Sequence, residues 1–155
     1  MEVRAGDGGA AIALAVGPAS AWPTPLRMAV GGTAKQQAAV LTAYQFLDAF
    51  NEREADALAT LVIDDAELRT SDERVWRGPA GARELLDEAG TMGLRLIPLH
   101  RGEHSEHRDG DVWVELRVRE LVEDADVPRI ADFVVRGGRI LSFALRPAGY
   151  EPGLA

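Results

Sequence analysis

Apolar residues recur along this chain with two different periods, and the change from one to the other divides it. After Thr33 they fall three and four apart, at Val40, Leu41, Tyr44, Leu47 and Phe50, with Phe46 beside them. That spacing predicts a helix over 33–51 with one buried stripe. Thr33 and Gln36 have the spacing of a capping box at its start. Glu52-Arg53-Glu54 interrupts the pattern, and 55–62 resumes it as a short second helix with Leu58, Leu61 and Val62 inward. Asp64-Asp65 is expected to end that helix. Strands then follow over 66–70 and 74–77, joined by a turn at Ser71-Asp72-Glu73. Pro79 stands at the first position of a third helix lined by Ala82, Leu85, Leu86 and Ala89, with Gly90 as its stop.

From Leu94 the period becomes two. The strand expected over 94–104 contains Pro98, which cannot donate to a ladder and points to an edge or a bulge. Asp109-Gly110 turns the chain. Over 111–121 Val112, Val114, Leu116 and Val118 alternate with Trp113, Glu115, Arg117 and Arg119. Glu123-Asp124-Ala125-Asp126 reads as an acidic connector. Finally 129–146 reads as a hairpin closed by Gly137-Gly138, a loop that tolerates positive φ at both positions. Its expected register sets Val135 opposite Ile140, Phe133 opposite Ser142 and Ala131 opposite Ala144. The other face would hold Asp132 among Ile130, Val134, Leu141, Phe143 and Leu145.

Composition narrows the functional classes. The 155 residues are 46% hydrophobic with a net charge of -8, enough to bury one core and opposite in sign to a nucleic-acid footprint. Lys35 is the sole lysine, and there is no cysteine for a disulfide, a thiol nucleophile or a thiolate metal site. Residues 1–32 are rich in Gly, Ala and Pro without periodicity and read as a mobile leader, with Met28 as an alternative start. A signal peptide is the competing reading, since Ala10 to Val16 is apolar and Ala19-Ser20-Ala21 resembles a cleavage site. Glu2 and Asp7 oppose it, because a secretory leader begins positive. The expected compartment is therefore the cytoplasm. The expected organisation is a leader over 1–32, one domain over 33–147 and a tail over 148–155.

Three patterns carry a family resemblance: Phe50-Asn51 followed by Ala57-Leu58 and Asp64-Asp65-Ala66; Trp76-Arg77-Gly78-Pro79 entering the third helix; and Asp132 through Ile140 around the Gly-Gly turn. With the order of elements they resemble the nuclear transport factor 2-like superfamily, which includes SnoaL-like polyketide cyclases and ketosteroid isomerase. The resemblance covers about 37–146. It implies an α+β fold, a cone-shaped curved antiparallel sheet wrapped around three N-terminal helices, with an apolar pocket at its open end and a homodimer formed through the sheet. In the isomerase branch a Tyr and a protonated Asp hold an oxyanion while a second Asp moves the proton. The matching positions here are Phe46, Ala131 and Thr70, and none can do that work.

Several residues remain as candidates, each with a plainer reading. Asp132 among apolar neighbours would have a raised pKa suited to acid/base catalysis; alternatively it lies on the outer face, paired with an arginine. Glu115 as base, with Arg117 holding an anionic group and Trp113 beside them, could line a polar pocket; alternatively they form a solvent-facing charged row. His100, His104 and His107 do not converge as metal ligands should, and only His100 lies near enough to the apolar part to enter a pocket. Tyr44 and Trp76 read as core or pocket wall. The catalytic candidates are thus Asp132 and Glu115. Those for substrate binding are Tyr44, Trp76, His100, Trp113, Arg117 and Phe133. No metal or organic cofactor, nucleic acid or membrane is expected. The functional expectation is a small hydrophobic or polyketide-like ligand, bound or transformed by acid/base chemistry. The alternative is a non-catalytic dimeric adaptor with a filled cone.

Overall fold

The computed structural model describes residues 33–148. The leader with its signal-peptide and Met28 readings, and all of the tail beyond Ala148, lie outside the described residues.

Helix α1 spans Ala34–Asn51 and starts on both bonds of the capping box: Gln36 N–H donates to Thr33 Oγ1 at 3.1 Å, and Thr33 N–H to Gln36 Oε1 at 2.8 Å. Helix α2, Ala55–Leu61, runs directly into strand β1, Val62–Arg69. Asp64 and Asp65 therefore lie within the strand rather than ending the helix. After β2, Val75–Arg77, helix α3 spans Gly78–Met92 with Pro79 in its first turn. Its stop is Gly93, at φ 67°, while Gly90 continues the helix.

The remaining strands are β3 (Arg95–Pro98), β4 (His104–Arg108), β5 (Asp111–Val122), β6 (Ala125–Arg136) and β7 (Arg139–Pro147). They form with β1 and β2 a curved, unclosed sheet in the order β2-β1-β7-β6-β5-β3, with β4 also pairing β5. All pairings are antiparallel except β1 with β7, which makes the sheet mixed. The interruption expected at Pro98 is real: β3 and β4 share one edge of β5, and the chain between them loops out. The acidic connector shrinks to Glu123 and Asp124, because Ala125 and Asp126 already pair with Val122 and Leu121.

The β6–β7 hairpin closes on Gly137 and Gly138, at φ 56° and 80°, and sets Val135 opposite Ile140. A bulge then shifts the ladder. Val134 faces Ser142, so Phe133 faces Phe143 instead of Ser142, and Ala131 faces Leu145 instead of Ala144. The extra residue moves Phe143 and Leu145 onto the inner face with Phe133 and Ala131. Asp132 is consequently not enclosed by five bulky apolar side chains.

Inside the sheet, Val112, Val114, Leu116 and Val118 of β5 are buried against the helices, which resolves the parity of that strand. The deep interior is closed by three rings: Phe46 lies 4.7 Å from Phe143 and 5.4 Å from Phe133 between centroids, and Phe133 lies 5.2 Å from Phe143. Asn51 ties the end of α1 to the sheet edge, donating to Leu96 O and accepting from Leu96 N–H, each at 2.8 Å. Among the described residues no helix is long and apolar enough to cross a membrane.

Candidate functional site

The inward alternation of three strands runs on past the apolar core. On β5 the series Val112 to Val118 continues to Glu120 and Val122. On β6 the series Val135, Phe133, Ala131 continues to Arg129 and Val127. Beyond Leu68, the same parity along β1 reaches Thr70. These extensions meet at the mouth of the cone, where a cavity of about 250 Å³ opens between the sheet and the end of α3. Leu85, Ala89, Met92, Leu94, Val122 and Val127 form its apolar walls.

Its polar end is built around Glu120, which is only 7% exposed. Arg129 Nε donates to Glu120 Oε1 at 2.8 Å, and Ser71 Oγ donates to Glu120 Oε2 at 2.7 Å. Both oxygens of this buried side chain therefore have hydrogen-bond partners. Opposite, Trp76 lines the cavity, and the Arg74 guanidinium lies 4.4 Å from the centre of its ring while pairing with Glu88 at 3.1 Å. Asp72 accepts from Thr70 Oγ1 at 2.5 Å and from Arg74 N–H at 3.2 Å, and the Thr70 bond leads in holding its carboxyl below the usual range. The indole N–H of Trp76 is buried and has no hydrogen-bond partner among the described residues.

Of the catalytic and substrate-binding candidates named from sequence, only Trp76 lines this cavity. Asp132 and Glu115 face each other across β5 and β6 on the outer side of the sheet, and Arg146 meets both: Nε lies 2.6 Å from Asp132 Oδ2 and Nη2 3.2 Å from Glu115 Oε2. Trp113 stands 43% exposed on the same side, with Arg108 4.5 Å from its ring centre. Arg117 lies along that row opposite Ile130 and packs over the β3–β4 loop, where a Cβ on Gly102 would come within 2.7 Å of its Nε. Phe133 belongs to the closed aromatic cluster.

Tyr44 and His100 do come together, away from this cavity. Their rings stack at 4.9 Å, and the Tyr44 hydroxyl donates to Glu103 Oε2 at 2.5 Å. Burial, reinforced by Glu103, raises the phenol well above its ordinary value, so it remains a donor. A second, shallow depression of about 500 Å³ lies along α1 and α2 beside Asp48, Glu54 and Asp56. Burial, with neighbouring Glu52, raises the Asp48 carboxyl. No three His, Asp or Glu side chains converge as a metal site among the described residues.

Sequence reasoning missed Glu120, Arg129 and Ser71. The signal was present in the alternation itself, since Glu120 has the parity of Val112 to Val118 and Arg129 that of Ala131 and Phe133.

No family model and no curated protein matches the chain. Solved structures do. A hypothetical protein with a ketosteroid isomerase-like fold from Catenulispora acidiphila, in complex with trimethylamine, matches at a TM-score of 0.54 and 15% identity, over 68% of this chain and 83% of that one. A protein of unknown function from Cytophaga hutchinsonii, described as NTF2-like, matches at 0.52 and 11% identity, over 69% and 87%. The orange carotenoid protein of Anabaena, binding canthaxanthin, matches at 0.61 and 19% identity, over 72% of this chain but 36% of the carotenoid protein.

Proposed function

We propose that this chain, whose fold is that of the nuclear transport factor 2-like and ketosteroid isomerase-like proteins, binds a small, mainly apolar molecule at the mouth of its cone. One observation carries the reading: an apolar-walled cavity ends in a built polar group, Glu120 held by Arg129 and Ser71. The closed cluster of Phe46, Phe133 and Phe143 limits the ligand's size. A cavity of about 150 Å³ accommodates benzene, so about 250 Å³ suits a substituted single ring. Structures of similar fold that hold trimethylamine and canthaxanthin support the use of this fold for small ligands.

Binding is favoured over acid/base chemistry. Both oxygens of Glu120 already accept hydrogen bonds, and the carboxylates of Glu115 and Asp132 meet Arg146 on the outer face. The test is a titration with single-ring molecules followed by methyl resonances of Leu85, Val122 and Val127. Expected are saturable shifts at these walls, with those of Leu85 and Val122 disappearing in Val127→Trp, whose indole would fill the cavity. Shifts confined to the outer face, or none at all, would remove the proposal.

A second reading, a dimeric interaction module assembled through the sheet, is favoured by the exposed Trp113 on the outer face. Light scattering of the full chain and of Trp113→Glu tests it, with dissociation of a wild-type dimer as the expected result.

A further inference from the structure

The mouth cavity has more to say about its ligand than size, and the inference rests on the binding role just proposed. Each carboxylate lining it is already engaged: Glu120 by Ser71 and Arg129, Glu88 by Arg74, and Asp72 by Thr70 and the Arg74 backbone. The unmet capacity is on the donor side. Trp76 Nε1–H has no partner, and Arg129 donates through Nε while its terminal nitrogens make no hydrogen bond among the described residues. An indole N–H can be satisfied only by an acceptor.

Charge then decides what kind of acceptor. Three carboxylates and two guanidiniums line the cavity, so its balance is negative and opposes an anion. A cation gains little either, because the carboxylates have partners and the Trp76 ring already carries Arg74 over it. We infer that the cavity selects a neutral, single-ring-sized molecule bearing a carbonyl-type acceptor, which takes the hydrogen bond of the Trp76 indole N–H. That N–H lies beneath the water-accessible surface, so the acceptor reaches it after a small shift of lining side chains. Arg74 and Met92 are among the exposed side chains of that lining.

Four probes of nearly equal size test this on the full chain: ethylbenzene, acetophenone, benzoate and benzylammonium. Affinities are read from the wall methyls, and the Trp76 indole resonance is identified by its loss in Trp76→Phe. Acetophenone is expected to bind about tenfold more tightly than ethylbenzene and to move the indole proton downfield. Benzoate and benzylammonium are expected to bind more weakly than acetophenone. In Trp76→Phe the ketone should lose its advantage while ethylbenzene still binds. Should that variant fail to fold, the wild-type comparison alone decides. Equal affinities for ketone and hydrocarbon, with a stationary indole proton, would overturn the acceptor inference and leave the binding role standing. Preference for benzoate or benzylammonium would overturn the neutral class. No response at any wall methyl to any probe would overturn the binding role itself.

Discussion

Glu120 and Arg129 stand diagonally across the β5–β6 pair, Glu120 opposite Val127 and Arg129 opposite Val118, with Arg129 Nε 2.8 Å from Glu120 Oε1. Two neighbouring strands thus each turn one charged side chain inward where the apolar series of the core ends. Such a pair resists single deletion far more than joint replacement, because deletion strands a desolvated charge.

Glu120→Ala should therefore cost about 3 kcal/mol, leaving Arg129 and the Ser71 hydroxyl without their acceptor. The double variant Glu120→Leu with Arg129→Leu should lie within about 1 kcal/mol of wild type. Urea unfolding of the three proteins measures both. A double variant no more stable than Glu120→Ala would mean that the pair stabilises the fold outright.

Gly78 joins β2 to α3 at φ 66°, and a Cβ there would lie 2.5 Å from the Asp64 carbonyl oxygen of β1. Left-handed backbone and a clash with main chain act together, so Gly78→Ala should cost about 3 kcal/mol. Gly93 has nearly the same φ, 67°, with nothing within 4 Å of the added atom. The same change there should cost only about 1 kcal/mol. Thermal unfolding of the two variants separates strain from crowding.

What could be read from the sequence follows from which signals are local. The capping box at Thr33 and Gln36, the Gly137-Gly138 turn and the β5 alternation are set by a few adjacent residues, and each appears as expected. The β7 bulge is not local. It arises where Phe143 and Leu145 turn inward against Phe46 and Phe133, a preference set by packing across the cone. Missing it put Asp132 in an apolar setting that does not exist. The mouth cavity was half legible: Trp76 stands out as an aromatic with a polar tip, while Glu120 and Arg129 look like ordinary charges unless the inward parity is followed two residues beyond the apolar series.

Acid should weaken this protein through carboxylates whose partners lower their pKa. Asp72 is lowered chiefly by Thr70, Glu67 by Arg77, Glu106 by Arg108 and Asp111 by Arg136. A carboxyl lowered in the folded state contributes stability that is present above its unfolded pKa and lost as pH falls through the folded one. Asp72→Asn should therefore be less stable than wild type near neutrality, by no more than about 1 kcal/mol given the exposure of the turn. The two stability curves should converge once the pH has fallen through the lowered Asp72 carboxyl, below the usual carboxylate range. A constant gap across the acid range would assign the effect to turn geometry instead.

Asn51 satisfies both the N–H and the carbonyl of Leu96 at 2.8 Å each, at the point where α1 meets the edge strand β3. Asn51→Ala leaves two buried main-chain groups unpaired and should cost about 2–3 kcal/mol. Asn51→Asp keeps only an acceptor and should recover part of that loss above the carboxylate's pKa. Hydrogen exchange should show the Leu96 amide released first in the alanine variant.

Phe46 lies on α1 and is fully buried between Phe133 and Phe143. If this ring is what closes the cone, its removal should both weaken the fold and open it. Phe46→Ala is expected to cost about 3–5 kcal/mol and to leave an apolar void able to take a benzene-sized molecule. Phe46→Tyr keeps the volume but buries a hydroxyl among rings, and should cost about 2 kcal/mol without gaining any ligand capacity. Benzene raising the melting temperature of Phe46→Ala, but leaving Phe46→Tyr no more responsive than wild type, would establish that side-chain volume closes the interior to small molecules. The absence of any benzene effect on Phe46→Ala would mean that the helix settles into the space, and that the cone is held closed by backbone packing instead of by this one ring.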